Sequence, residues 1–111
     1  MDKWTVLAET MDPLIPYRLN CTKPSVEKLK SLEAKIQGVE PPVREVLCLC
    51  VRELSSLPNE PCRVKREHHL LQLTEKILAL LRGSAHPDYV LLLPQIQRMY
   101  NNIREYISQS Q

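Results

Sequence analysis

The sequence has no phenylalanine, two glycines and one tryptophan, and aromatic residues make up 5% of its 111 positions. The scarcity of glycine excludes a glycine-rich phosphate cradle, because Gly38 and Gly83 stand far apart in the chain and no other glycine exists. It also argues against a β-sandwich, which needs many tight turns and many β-branched residues. Leucine instead dominates, with 18 residues against eight valines and six isoleucines. Long apolar runs are missing too. One apolar run, Val90-Leu91-Leu92-Leu93, ends at Pro94, and none approaches the roughly 18 residues of a membrane span. The start, Met1-Asp2-Lys3-Trp4, lacks the basic and apolar regions of a secretory signal. An intracellular chain, cytoplasmic or nuclear, with no membrane association is therefore expected. Nor is there an excess of one charge. Fifteen basic and 13 acidic residues leave a formal +2, too little to imply nucleic acid or an anionic surface by itself.

What remains, 43% hydrophobic and 25% charged residues, is the composition of a globular domain. The patterning is helical. Trp4, Leu7, Ala8 and Met11 recur at helical spacing, predicting a short helix near 3–11. Pro13 and Pro16 then bias residues 12–24 toward an extended arm, although Leu14, Ile15, Tyr17 and Leu19 make that arm apolar. Ser25 is a natural N-cap, Val26, Leu29, Leu32 and Ile36 form a stripe, and Gly38 is a natural stop, so a helix is predicted over 25–37. Pro41-Pro42 opens a second helix over 42–57. Its apolar residues cover most of the circumference, as in a central helix. A third runs over 61–82 and ends at Gly83. At about 33 Å it is long enough for its first two turns to project. A fourth covers 94–108, with Pro94 either starting it or kinking a longer helix that takes in 88–93. The fold class is all-α: one small bundle of four main helices over 25–108, preceded by a helix and extended arm over 1–24.

Reaction chemistry is hard to find. Ser25-Val26-Glu27-Lys28 matches the Ser-x-x-Lys of penicillin-binding enzymes in letters only, without its companion motifs. Cys48 and Cys50 lie two apart on a predicted helix and so point about 160° apart. Cys62 with His68 and His69 lacks a second ligand pair. No catalytic residue, metal site or cofactor is assigned. Four free thiols acting as small apolar residues are expected. Asn20-Cys21-Thr22 fits a glycosylation pattern that carries no weight without secretion.

Two surfaces stand out. Residues 61–82 hold five basic against two acidic residues, with Arg63, Lys65 and Arg66 at the start of a helix. Cations there oppose the helix dipole by roughly 0.3–1 kcal/mol each. Such a local conflict is often found at a functional surface. Arg63, Lys65, Arg66 and His69 are therefore candidates for an acidic partner, and histidine adds charge below about pH 6.5. The second surface is the apolar surplus. If the four main helices bury one another, Trp4, Leu7, Met11, Leu14, Ile15 and Tyr17 remain, and with Tyr100 and Tyr106 they form a candidate face for another protein. The expectation is a non-catalytic interaction domain, an adaptor or complex subunit, with a hetero-complex preferred over a homodimer. The alternative is a helical nucleic-acid-binding domain using Arg63, Lys65, Arg66 and Lys76. The absence of aromatic residues from that stripe disfavours it.

Overall fold

A computed structural model describes residues 2–110 of the chain. The described residues are helical or irregular, with six helices and no strand. They divide into two units, one ending at Asn59 and the other beginning at Glu60.

The first unit holds α1 (Lys3–Met11), α2 (Leu14–Asn20), α3 (Val26–Ile36) and α4 (Val43–Ser55). The start of α3 follows from its cap: the Ser25 hydroxyl accepts the Lys28 N–H at 3.1 Å. Helices α1, α3 and α4 pack on one another. Their core includes Val6, Leu32, Ile36, Val43, Val46, Leu47, Cys50 and Leu54. Thr10 is buried without cost because its hydroxyl donates to the Val6 carbonyl at 2.7 Å. At the rim, the Lys35 ammonium sits 2.6 Å from the Glu9 carboxylate, tying α1 to α3.

The expected extended arm is α2 instead. Pro13 occupies its N-cap and Pro16 its third position, where no i−4 carbonyl awaits the missing N–H. Proline here fits a short helix rather than breaking it. The helix turns inward on Leu14 and Tyr17, both buried, and the Tyr17 hydroxyl donates to the Pro58 carbonyl at 3.0 Å. It stops at Cys21, whose φ of 58° is left-handed. The Cys21 N–H donates to the Tyr17 carbonyl, the αL stop in which glycine is usual, and the Thr22 N–H reaches back to the Pro16 carbonyl. The boundary at residues 59 and 60 thus groups α1 and α2 with α3 and α4, and it falls inside the 25–108 span read from sequence as one bundle.

The second unit is an antiparallel pair, α5 (Arg63–Arg82) and α6 (Pro87–Gln109). Arg63 lies against Tyr106 near one end, and Arg82 donates to Gln97 at 2.6 Å further along. Helix α6 begins where His86 caps it, its Nδ1 accepting the Asp88 N–H at 3.1 Å, with Pro87 in the first turn. It then runs unbroken through Pro94. The proline removes the donor that the Val90 carbonyl would ordinarily have, at a stretch where Val90 and Pro94 are both exposed.

Candidate interaction surfaces

The basic cluster does not form the free patch expected. Arg66 is buried, with 5% of its surface exposed, and its guanidinium donates to the carbonyls of Glu60 and Pro61 at 2.9 and 2.8 Å. Glu60 in turn accepts the Cys62 N–H at 3.0 Å. Arg63 is half-buried. Its Nε stands 3.6 Å from the carboxylate of Glu67, which is fully buried, and its guanidinium lies 4.3 Å from the centre of the Tyr106 ring. The conflict with the helix dipole is therefore compensated within the fold: one arginine closes the segment before α5, and the other neutralises a buried acid on its own helix. Lys65 is exposed and His69 half-buried. The notion of two projecting turns fails for the same reason, since Arg66 and Glu67 anchor them.

The apolar candidates separate as well. Leu7, Leu14 and Tyr17 are buried and offer nothing to a partner. Trp4 is half-buried, with the Lys3 ammonium 5.4 Å from its ring, and Met11 is half-buried with its sulfur 3.9 Å from the Cys50 thiol. Tyr100 and Tyr106 are half-buried beneath Arg104 and Arg63. Only Ile15 stands well out, at 60% exposed.

Four further apolar residues are exposed. Leu19 is 52% exposed and lies one turn after Ile15, so the two share a face of α2. Their i, i+4 spacing acquires meaning only once the segment is helical, since it has none in an extended arm. Val26, assigned to a buried stripe, sits in the first turn of α3 and is exposed. Val90 and Leu91 are exposed on α6. A count of turns would have found them: four successive helical residues sweep about 300°, so Val90-Leu91-Leu92-Leu93 cannot all face inward. Leu92 is the one that does.

The four cysteines are free. Cys50 is buried, and burial pushes its thiol up to about 12. Cys48 and Cys62 are exposed rather than packed as small apolar residues, and Cys48 points away from Cys50 as their spacing requires. Cys48 borders an open groove of about 340 Å³ between α3 and α4, with Glu33 on one wall and Arg52 on the other. Among the described residues no cluster of three His, Cys, Asp or Glu side chains could hold a metal ion, and no helix is long and apolar enough to cross a membrane. No protein-family model, curated protein or solved structure matches the chain.

Proposed function

We propose that this protein is a non-catalytic interaction protein, an adaptor or complex subunit, that binds another polypeptide through apolar side chains held outward on α2. The observation that carries this reading is the pairing of Ile15 and Leu19. Both are more than half exposed, one turn apart, on a helix whose opposite face is fixed by buried Leu14 and Tyr17. Covering the exposed part of both side chains contributes about 2–3 kcal/mol, at 1.5–3 kcal/mol for a fully buried side chain. That corresponds to roughly 30- to 150-fold in affinity. Val90 and Leu91 provide a second surface of the same chemistry on α6.

Site-specific photo-crosslinking tests it. A photoreactive residue at position 15 or 19 is expected to capture a discrete polypeptide in cells, and the same group at exposed Lys30 is not. An Ile15→Asp, Leu19→Asp variant of unchanged helicity should lose that partner. Equal adducts from all three positions, or retention of the partner by the double variant, would refute the reading.

A further inference from the structure

The open groove between α3 and α4 is built from one face of each helix. Glu33 and Ile36 line it from α3, and Cys48, Val51, Arg52 and Ser55 line it from α4. The α4 residues follow the i, i+3, i+4, i+7 spacing that places side chains on a single helical face. Ile36 and Val51 are buried and make an apolar floor. From Cys48 to Ser55 the face extends about 10 Å. The volume of about 340 Å³ is at the small end of the roughly 300–1,000 Å³ of small-molecule sites, so the groove suits a compact ligand.

Two opposite charges and a thiol rim that floor. Glu33 and Arg52 are exposed on opposite walls. Among the described residues neither closes an ion pair or a side-chain hydrogen bond across the groove, which leaves the space between them open. The Cys48 thiol is exposed one turn before Arg52, on the same face of α4. Cys62, the other exposed thiol, lies outside the groove.

From this arrangement we infer that Cys48 is a site of reversible S-thiolation by disulfides of amino-acid thiols, with glutathione disulfide as the representative, and that the α3–α4 groove selects them by their head group. The inference is independent of the α2 surface. A ligand that carries both an ammonium and a carboxylate offers one to Glu33 and the other to Arg52, while its methylene stem lies over Ile36 and Val51. A wholly apolar ligand would strip water from both charges and give nothing in exchange. A metal ion fits poorly, because Cys48 and Glu33 supply two ligands and no cluster of three exists among the described residues. An exposed ion pair is worth about fivefold in affinity at most. Reversible binding is therefore weak, and the covalent bond is what retains the ligand.

The step is thiol–disulfide exchange. The Cys48 thiolate attacks one sulfur of the incoming disulfide, and a new S–S bond forms to Cys48 Sγ as the original S–S bond breaks. The departing thiolate takes up a proton equivalent to the one that Cys48 lost. The incoming disulfide is thus the oxidant: one half leaves reduced as a thiol, and Cys48 is left oxidised in a mixed disulfide. Attack by a second small thiol reverses the step.

The test treats the full chain with glutathione disulfide, neutral hydroxyethyl disulfide, carboxylate-only dithiodipropionate or ammonium-only cystamine. Peptide mass spectrometry times the adducts at Cys48 and Cys62. The ratio of the two rates with the neutral reagent measures intrinsic reactivity, and any rise above it measures recognition of the head group. Glutathione disulfide is expected to raise the ratio about five- to tenfold, and cystamine and dithiodipropionate clearly less. Glu33→Gln or Arg52→Gln should each cut the rise to about twofold without changing helicity, since both positions are exposed. Equal ratios for all four reagents would overturn the inference. So would a rise with either single-charge reagent as large as that with glutathione disulfide, or one that survives both substitutions.

Discussion

Cys21 ends α2 in a backbone conformation that costs it energy, and glycine should relieve the strain. With φ 58° and ψ 28°, Cys21 sits squarely in the left-handed region. There a Cβ crowds the following carbonyl at about 1–2 kcal/mol. Glycine removes that cost but brings back about 0.5–1 kcal/mol of unfolded-chain entropy. The thiol contact with Asn59 Oδ1, at 3.5 Å and exposed, subtracts little. The net expectation for Cys21→Gly is a gain of about 0.5–1 kcal/mol, or roughly 2–5 °C in Tm for a chain of this size. Cys21→Ala separates the two effects, since it loses the thiol but keeps the strained φ, and should be close to neutral. Cys21→Val, branched at Cβ, should cost about 1 kcal/mol or more. Urea unfolding followed by far-UV circular dichroism reads all three. If Cys21→Gly proves no more stable than Cys21→Ala, the left-handed stop is not a strained one, and the account of how α2 terminates fails.

Three further outcomes follow from local contacts. The hydrogen bond from Lys35, with its charge and that of Lys28, holds the Glu9 carboxyl below its ordinary value against the opposing effect of burial. A lowered carboxylate stabilises the fold above its unfolded pKa, about 4.3, and the contribution is lost as pH falls through the folded value. The stability gap between the unaltered chain and Glu9→Gln should thus be present at pH 7 and shrink progressively as pH falls below about 4.3, as checked by denaturant titrations at each pH. Thiol labelling at pH 8 should modify exposed Cys48 and Cys62 rapidly and buried Cys50 only on unfolding. Mass spectrometry of the labelled peptides reads the order, and early modification of Cys50 would contradict its burial. Tyr17→Phe should cost about 0.5–1.5 kcal/mol by removing the hydrogen bond to Pro58, and a loss below 0.3 kcal/mol would show that bond to be unimportant.

Much of the helical skeleton is readable from spacing and caps. The span 25–37 matches α3 because Ser25 caps it and Gly38 follows it; the span 61–82 matches α5 to within two residues because Gly83 ends it, although its N-cap, Cys62, makes no side-chain cap bond. The errors concern proline and charge. Proline disfavours a helix interior but suits a first turn, and only the position of the helix start tells which applies, so spacing alone suggests an arm where α2 forms. At Pro94 the helix continues through a stretch where Val90 and Pro94 are exposed, and one sequence does not display which face of a helix meets solvent. The arginines at the start of α5 violate a local rule visible in sequence, yet what compensates them lies elsewhere. Tyr106 stands more than 40 positions from Arg63, and the carbonyls under Arg66 belong to a segment with no periodicity. A conflict between charge and dipole therefore marks a position that needs a partner, which here is supplied within the chain.

That outcome sharpens the case for α2. Seven residues are too few for a helix to persist alone in water, so its order depends on Leu14 and Tyr17 and on the stop at Cys21. Covering the core beneath α2 required apolar residues only at those inward positions. Polar residues at 15 and 19 would have served that purpose equally well and lowered the risk of aggregation. Instead, isoleucine and leucine project from a segment whose inner face and terminus are both fixed, so the backbone that carries them is ordered before any partner arrives. A partner that covers them meets a surface with much of its backbone entropy already lost, and retains more of the apolar gain as affinity.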